Sequence, residues 1–132
     1  MSELTEADCW TRLRSLPVGR IGYLEQGVPV IRPINFSVLD RTIVIWTVPG
    51  GSGTTVAGQT VAFEVDQVDT QSRSGWTVLT TGIAEAVTDV DELVAATDVP
   101  HRPWVAEHDD QVIRIRVNRV SGLQLPAFPP PS

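Results

Sequence analysis

The sequence predicts a mainly β protein with little α-helix, built as a small six-stranded antiparallel barrel. Runs of alternating or β-branched apolar residues, typical of strands, recur along the chain. Tight turn signals, such as the Gln26-Gly27 pair, join the early runs and favour antiparallel neighbours. No strand–helix–strand rhythm occurs, so neither a parallel α/β sheet nor a dinucleotide-binding fold is expected.

Six strands are predicted, and two features of the sequence give them local detail. Pro29 and Pro33 lie within the second strand. Because proline cannot donate to a strand ladder, part of that strand is expected at a sheet edge or a bulge. Gly82, within the fifth strand, predicts a bulge or bend. The predicted strands cover residues 18–24, 28–38, 42–48, 60–65, 75–87 and 112–120.

Two short helices are predicted to flank the strands. Thr5 is the expected N-cap of a first helix of about ten residues that runs towards Pro17. A second short helix is predicted over residues 89–96, where acidic residues come first. On the apolar side of the first helix, we expect Cys9 to be a buried, unreactive thiol and Trp10 to be a core residue.

Length and composition indicate one domain over residues 1–132, with the helix in residues 1–17 and an extended or disordered tail at 126–132. No apolar run is long enough to span a membrane and no secretion signal precedes the domain, so we expect a cytoplasmic protein. The single cysteine excludes an internal disulfide. A net charge of −6 makes nucleic-acid binding unfavourable. All basic residues are arginines, so lysine chemistry is excluded.

A glycine-rich loop, Gly50-Gly51-Ser52-Gly53-Thr54-Thr55, follows the third predicted strand. Its backbone amides and side-chain hydroxyls could bind an anion such as phosphate. An equally favoured interpretation is that the loop is only a flexible connection between elements. Two other groups of polar residues could bind a ligand or a metal. Arg114 and Arg116 share a strand face. They could pair with Glu64 or Asp66 across the sheet or with an anionic ligand, but a solvated strand face with ordinary ion pairs is the favoured interpretation. The histidine spacing, six residues between positions 101 and 108, is not typical of a metal site.

Four segments of the chain together resemble the pyridoxamine 5′-phosphate oxidase-related flavoproteins, in particular their small, mostly actinobacterial, split-barrel members. They are PVGRIGYLEQGVPVIRPINFSVLDRTIVIWTVPGGS, VAFEVDQVD, GWTVLTTGIAEAVTD and VIRIRVNRVSG. These segments span about residues 10–122 in the family's order. The resemblance implies a six-stranded split β-barrel that forms a homodimer and binds one flavin mononucleotide (FMN) at each of two interface sites.

The resemblance also implies which residues contact the cofactor. Glu64 matches a sheet position to which we assign a structural role. Along the isoalloxazine ring would lie Pro33, Ile34, Asn35 and Phe36. Facing the ribityl chain and phosphate would lie Trp46, Thr47, Gly51, Ser52, Gly53 and Thr54. Approaching a flavin from the neighbouring subunit's side would lie Trp76 and Thr77.

The chain departs from the family's pattern at two positions. It has Trp46 where members often show arginine or histidine, and Gly53 where they usually carry lysine, so two phosphate-binding cations are missing. Two functions are therefore kept open. One is an FMN-dependent oxidoreductase with an unknown substrate and no recognisable catalytic residue; pyridoxamine phosphate itself is not expected, since no substrate-phosphate cluster is found. The alternative is a non-catalytic dimeric barrel that has lost FMN, or binds deazaflavin or haem. A hydrolase or a metal enzyme has no supporting constellation.

Overall fold

The computed structural model describes residues 2–47, 56–87 and 111–125. The predicted helix at 89–96, the two histidines and the tail at 126–132 lie outside these ranges. The described residues contain a helix, α1 (Glu6–Leu13), and seven strands. The strands are β1 (Ser2–Glu3), β2 (Val18–Glu25), β3 (Val28–Leu39), β4 (Thr42–Thr47), β5 (Thr60–Asp69), β6 (Ser74–Ala86) and β7 (Gln111–Leu125).

Strands β2 to β7 form a closed antiparallel barrel. Their spatial order is β7-β4-β3-β2-β5-β6, and a further pairing of β6 with β7 completes the ring. The predicted mainly β, six-stranded barrel is therefore confirmed. Strand β1 was not predicted; its two residues pair with Leu123 and Gln124 at the end of β7. A strand of two residues is too short for alternation to show in the sequence.

The barrel is split because β3 changes its partner partway along. Residues 28–35 pair with β2, whereas residues 36–39 pair with β4. Within the described strands, the second edge of residues 28–35 therefore has no neighbouring strand, and we call it the split edge. Pro29 and Pro33 both lie on it, which confirms the predicted edge position.

The predicted irregularity at Gly82 is confirmed, although the extra residue lies on the partner strand. Thr81 pairs with Arg119 and Gly82 pairs with Val117, so Asn118 of β7 is left between them. A Cβ atom on Gly82 would lie 2.1 Å from the Arg116 carbonyl oxygen. The two backbones approach so closely that only glycine fits.

Inward-facing side chains of the strands and one face of α1 form a common core. Phe36 and Phe63 meet edge to face, with ring centroids 4.8 Å apart. From α1, the buried side chains of Cys9 and Trp10 join this core, as predicted. Burial, with smaller contributions from nearby acidic residues, raises the pKa of the Cys9 thiol, which keeps it protonated and unreactive.

The start of α1 agrees with the prediction, whereas its length does not. Thr5 Oγ1 accepts a hydrogen bond from the Asp8 N–H at 3.1 Å, as expected of an N-cap. The helix has eight residues and ends at Leu13, not near Pro17. A proline disfavours helical backbone in the residue before it, so the chain must leave the helix before Pro17. No helix in the described ranges has the length and apolarity needed to cross a membrane.

Candidate functional site

Strand alternation divides the four predicted ring-contacting residues between two sides of β3. The Phe36 side chain is 1% exposed and belongs to the core. The Ile34 side chain packs against the same core. Pro33 is exposed and Asn35 is half-buried. The side chains of Pro33 and Asn35 are therefore the two on the outer surface of the barrel, and Asn35 Nδ2 also donates to the Pro17 carbonyl oxygen at 3.5 Å.

Across from Pro33 lies a group of charged and polar side chains that we call the Arg20 cluster, formed by Arg20, Glu64, Asp66 and Thr77. Arg20 on β2 pairs in register with both Pro33 and Glu64. Its Nη1 lies 2.8 Å from Asp66 Oδ2 and 3.4 Å from Glu64 Oε1. Thr77 Oγ1 donates to Glu64 Oε2 at 3.1 Å. The barrel thus brings Thr77 to the same outer surface as Pro33.

The Arg20 cluster places one cation between two carboxylates. Partial burial raises the pKa of Glu64, and the neighbouring Asp66 carboxylate raises it further. The Thr77 hydroxyl and the Arg20 guanidinium oppose this effect. Glu64 therefore holds a proton to higher pH than an isolated glutamate does. Glu64 was assigned a structural role from the sequence, and the structure adds a raised pKa to that role.

Trp76 and Thr77 are adjacent in the chain but lie on opposite sides of β6. The Trp76 side chain is 4% exposed and belongs to the core. The Arg12 guanidinium of α1 lies over its indole ring, 5.4 Å from the centroid. Of the two predicted contacts from the neighbouring subunit's side, Thr77 lies on the outer surface beside Glu64, whereas Trp76 packs under α1.

The predicted phosphate-binding half of the site lies mainly outside the described residues. The backbones of Trp46 and Thr47 end β4, where they pair with Val112 and Gln111. The side chains of these two residues, and all of Gly51, Ser52, Gly53 and Thr54, are not described. Their contacts with a ribityl chain and a phosphate stay a prediction.

A second charged group, the Glu85 cluster, contains Glu85, Arg114 and Arg116. Both arginine Nε atoms donate to Glu85 Oε2, at 3.0 Å from Arg114 and 2.9 Å from Arg116. The alternative in which these arginines pair with Glu64 or Asp66 is therefore wrong, and they make ion pairs with Glu85 instead. In the barrel β7 lies beside β6 and β4, and β6 separates it from β5. The two guanidinium groups lower the pKa of Glu85.

Arg20 and Asp66 were not among the predicted contact residues. Their place on the polar side of alternating strands was visible in the sequence. Their proximity depends on the pairing of β2 with β5, which are not consecutive strands. As for metals, the described ranges hold no group of three His, Cys, Asp or Glu residues suited to binding an ion.

Comparison with known proteins places these features in a family context. A family model described as "Pyridoxamine 5'-phosphate oxidase" matches residues 5–124. An uncharacterized protein of Mycobacterium tuberculosis is 30% identical over 131 residues, which cover 95% of this chain and 86% of that protein.

Two solved structures have similar folds. The structure of the FAD binding protein from Mycobacterium smegmatis is 30% identical, with a TM-score of 0.86 over 97% of this chain and 100% of that chain. A conserved protein of unknown function from Corynebacterium diphtheriae is 28% identical, with a TM-score of 0.79 over 94% of this chain and 97% of that chain.

Proposed function

This chain belongs to the pyridoxamine 5′-phosphate oxidase family, and on that premise we propose that it binds a flavin along the outer side of β3 and acts as an oxidoreductase. One observation carries the proposal: the split edge lies beside the outer-surface side chains of Pro33 and Asn35. Backbone N–H and C=O groups are strong hydrogen-bonding groups, and on this edge none of the described strands pairs with them. A flat ring with polar edges, such as isoalloxazine, fits that arrangement.

The residues around the split edge have distinct roles in this proposal. Pro33 provides a rigid surface for the ring, and Asn35 orients it through its side-chain amide. Arg20, which pairs in register with Pro33, supplies positive charge on this side of β2. A bound flavin supplies the redox chemistry, and the chain positions the ring and the substrate.

A homodimer is part of the proposal, with the flavin at its interface. Large apolar side chains are exposed on the outside of the barrel, among them Ile31, Leu24 and Val18, at 71%, 52% and 43% exposure. They lie on the adjacent strands β2 and β3, where Gly22 pairs with Ile31 and adds no side-chain bulk. Exposed apolar side chains on two adjacent strands favour coverage by a second protein surface. In the dimer, Thr77 would approach the flavin held by the other subunit.

The flavin form is the finer part of the proposal. The family resemblance implies FMN, whereas the similar protein from M. smegmatis is described as binding FAD. Replacement of the usual cations by Trp46 and Gly53 weakens the hold on a terminal phosphate, because each charge-assisted contact contributes about 1.5–3 kcal/mol. We therefore expect the isoalloxazine ring, common to both cofactors, to provide the main recognition.

Flavin titration of the purified protein tests the proposal. The visible spectrum of the protein as isolated is recorded first, and FMN, FAD and riboflavin are then titrated while flavin fluorescence is followed. We expect saturable quenching with micromolar affinity. Replacing Asn35 by alanine should weaken binding about tenfold, as expected for one lost hydrogen bond. Thr11→Ala, which alters an exposed polar side chain of α1, is the control and should leave the affinity unchanged.

A colourless protein with no saturable response to any of the three flavins would overturn the proposal. Gly53→Lys should tighten the binding of FMN but not of riboflavin, which has no phosphate. Equal effects on both ligands would mean that the glycine-rich loop does not bind the phosphate. The same samples, examined by sedimentation, report whether the protein is a dimer.

The second candidate function is a non-catalytic dimeric barrel, favoured by the missing cations at Trp46 and Gly53. It differs from the first in its ligand, which would be deazaflavin, haem or none. Titration with a deazaflavin and with haem under the same conditions separates the two. Tighter binding of either than of FMN and FAD would favour this second function.

A further inference from the structure

A groove of about 620 Å³ lies between α1 and the hairpin that joins β5 to β6. It is lined by Arg12 of α1, by residues 67–71 and by residues 74–76. Trp76 lines the groove, whereas Thr77 points to the opposite side of β6, towards the Arg20 cluster. The groove is therefore separate from the proposed flavin surface. Its volume lies in the range usual for small-molecule sites.

The Arg12 guanidinium is held in place at one side of this groove. It lies over the indole of Trp76, which is fixed in the core. Its Nη2 donates to Gln124 Oε1 at 3.4 Å, and Gln124 Nε2 in turn donates to the Gly75 carbonyl oxygen at 2.9 Å. A guanidinium has five N–H donors, and the Gln124 contact uses one of them. Contacts with β6 and β7 thus restrict the orientation of a cation that lines a cavity.

The rest of the lining supplies mostly neutral polar groups. Gln67, Gln71 and Ser74 bring amides and a hydroxyl. Asp69 is the acidic residue of the lining, and its Oδ1 accepts from the Gln71 and Ser72 N–H groups at 2.9 and 3.4 Å. These hydrogen bonds lower the pKa of Asp69, so it stays charged. The groove therefore combines one guanidinium, one carboxylate that accepts hydrogen bonds within its own turn, and several neutral hydrogen-bonding groups.

We propose that this groove binds a small organic monoanion, a planar carboxylate, through Arg12. The guanidinium fork matches a carboxylate with two parallel hydrogen bonds. Arg12 attracts an anion and the charged Asp69 carboxylate repels it, and this repulsion is larger for a phosphate dianion than for a monoanion, so a single negative charge suits the groove better. The amides and hydroxyls of the hairpin then receive the polar substituents of the ligand. This site does not depend on the proposed flavin binding.

Benzoate and benzamide are suitable probes because they have nearly the same shape and differ in charge. Each is titrated into the full-length ¹⁵N-labelled protein, alongside inorganic phosphate. The signals followed are the Trp76 indole N–H and the side-chain amides of Gln67 and Gln124. We expect a saturable shift with benzoate, with benzamide and phosphate binding at least tenfold more weakly. Replacing Arg12 by glutamine should weaken benzoate at least tenfold.

Arg14→Gln is the matched control. Arg14 comes directly after the last residue of α1, and its guanidinium lies over the indole of Trp10, 5.9 Å from the ring centroid. Unlike Arg12, it does not line the groove. This variant should bind benzoate as the unmodified protein does. If Arg12→Gln does not fold, Arg12→Lys keeps a cation and loses the fork, and it should bind benzoate more weakly than the unmodified protein.

Three results would each overturn the proposal. The first is the absence of a saturable benzoate shift. The second is equal binding of benzoate and benzamide, or phosphate binding tighter than benzoate. The third is unchanged benzoate affinity in Arg12→Gln or, where that variant does not fold, in Arg12→Lys.

Discussion

The Arg20 cluster and the Glu85 cluster contain the same kinds of side chain in opposite ratios. In the first, one guanidinium lies between the carboxylates of Glu64 and Asp66. In the second, one carboxylate oxygen of Glu85 accepts from two arginines. Partial burial and the neighbouring Asp66 carboxylate raise the pKa of Glu64, whereas the two guanidinium groups lower the pKa of Glu85. The local ratio of charges, together with burial, decides which glutamate holds a proton.

Their positions on the barrel also differ. Glu64 lies on β5, between β2 and β6. It pairs in register with Arg20, which in turn pairs with Pro33 on the split edge. Glu85 lies on β6, facing β7. A change in the protonation of Glu64 therefore alters the charge beside the proposed flavin surface. In the Glu85 cluster, the pairs mainly join two neighbouring strands.

The largest expected effect comes from adding a Cβ atom at a glycine near each cluster. Gly82→Ala would place a Cβ 2.1 Å from the Arg116 carbonyl oxygen and push β7 away from β6. We expect it to lower the free energy of unfolding by about 2–3 kcal/mol. Gly22→Ala, near Arg20, meets Ala62 Cβ at an ordinary 3.7 Å. It should be neutral or stabilising by up to about 1 kcal/mol. Urea unfolding of both variants measures the difference, and equal losses would contradict this assignment of close contacts.

A smaller effect is expected from removing one cation from each cluster. Arg20→Gln removes the cation shared by Glu64 and Asp66, and we expect a loss of about 1 kcal/mol, the upper end for exposed pairs. Arg116→Gln leaves Glu85 its contact with Arg114, so its loss should be smaller. Arg20→Gln should also raise the pKa of Glu64 further, since an opposing cation is gone. Unfolding in urea and ¹³C titration of the carboxyl groups test both statements. A larger loss in Arg116→Gln would reverse the comparison.

The smallest and most specific effect is an opposite pH dependence of two glutamate-to-glutamine variants. Because the folded-state pKa of Glu64 is raised, its contribution to stability is present at low pH and is lost as pH rises through the raised pKa. The stability of Glu64→Gln relative to the unmodified protein should therefore improve from acidic to neutral pH.

Glu85 has a lowered folded-state pKa, so its contribution is present above the ordinary glutamate range and is lost as pH falls through the lowered pKa. The relative stability of Glu85→Gln should therefore worsen towards neutral pH. Unfolding curves at several pH values between the acidic and neutral ranges give both slopes. Slopes of the same sign would mean that charge ratio does not govern the two sites.

Several elements of the fold were predictable because local chemistry determines them. Thr5 was identified as an N-cap from its side chain and the acidic residues that follow, and the structure agrees. Pro29 and Pro33 predicted an unpaired edge because they lack an N–H, and Gly82 predicted an irregular pairing. The length of α1 was overestimated, since apolar spacing continues to Leu16 although the helix ends at Leu13.

The candidate site was less predictable. The resemblance supplied four consecutive residues for the ring, yet β3 directs the side chains of Pro33 and Phe36 to opposite sides. Sequence adjacency likewise joined Trp76 to Thr77, which β6 separates. The alternative that paired Arg114 and Arg116 with Glu64 or Asp66 was wrong, because the sequence does not show the order of the strands in the barrel.

The sequence by itself determined the six barrel strands, the helix start, the edge or bulge position within β3 and the position of the irregular pairing. These features depend on alternation, capping and missing donors, which act within a few residues. Only the tertiary structure decided which charges meet and where a groove forms. Barrel closure places β2 beside β5 and α1 over Trp76. The physical reason is that burial of one common core selects these neighbours, and the core is built from residues far apart in the chain.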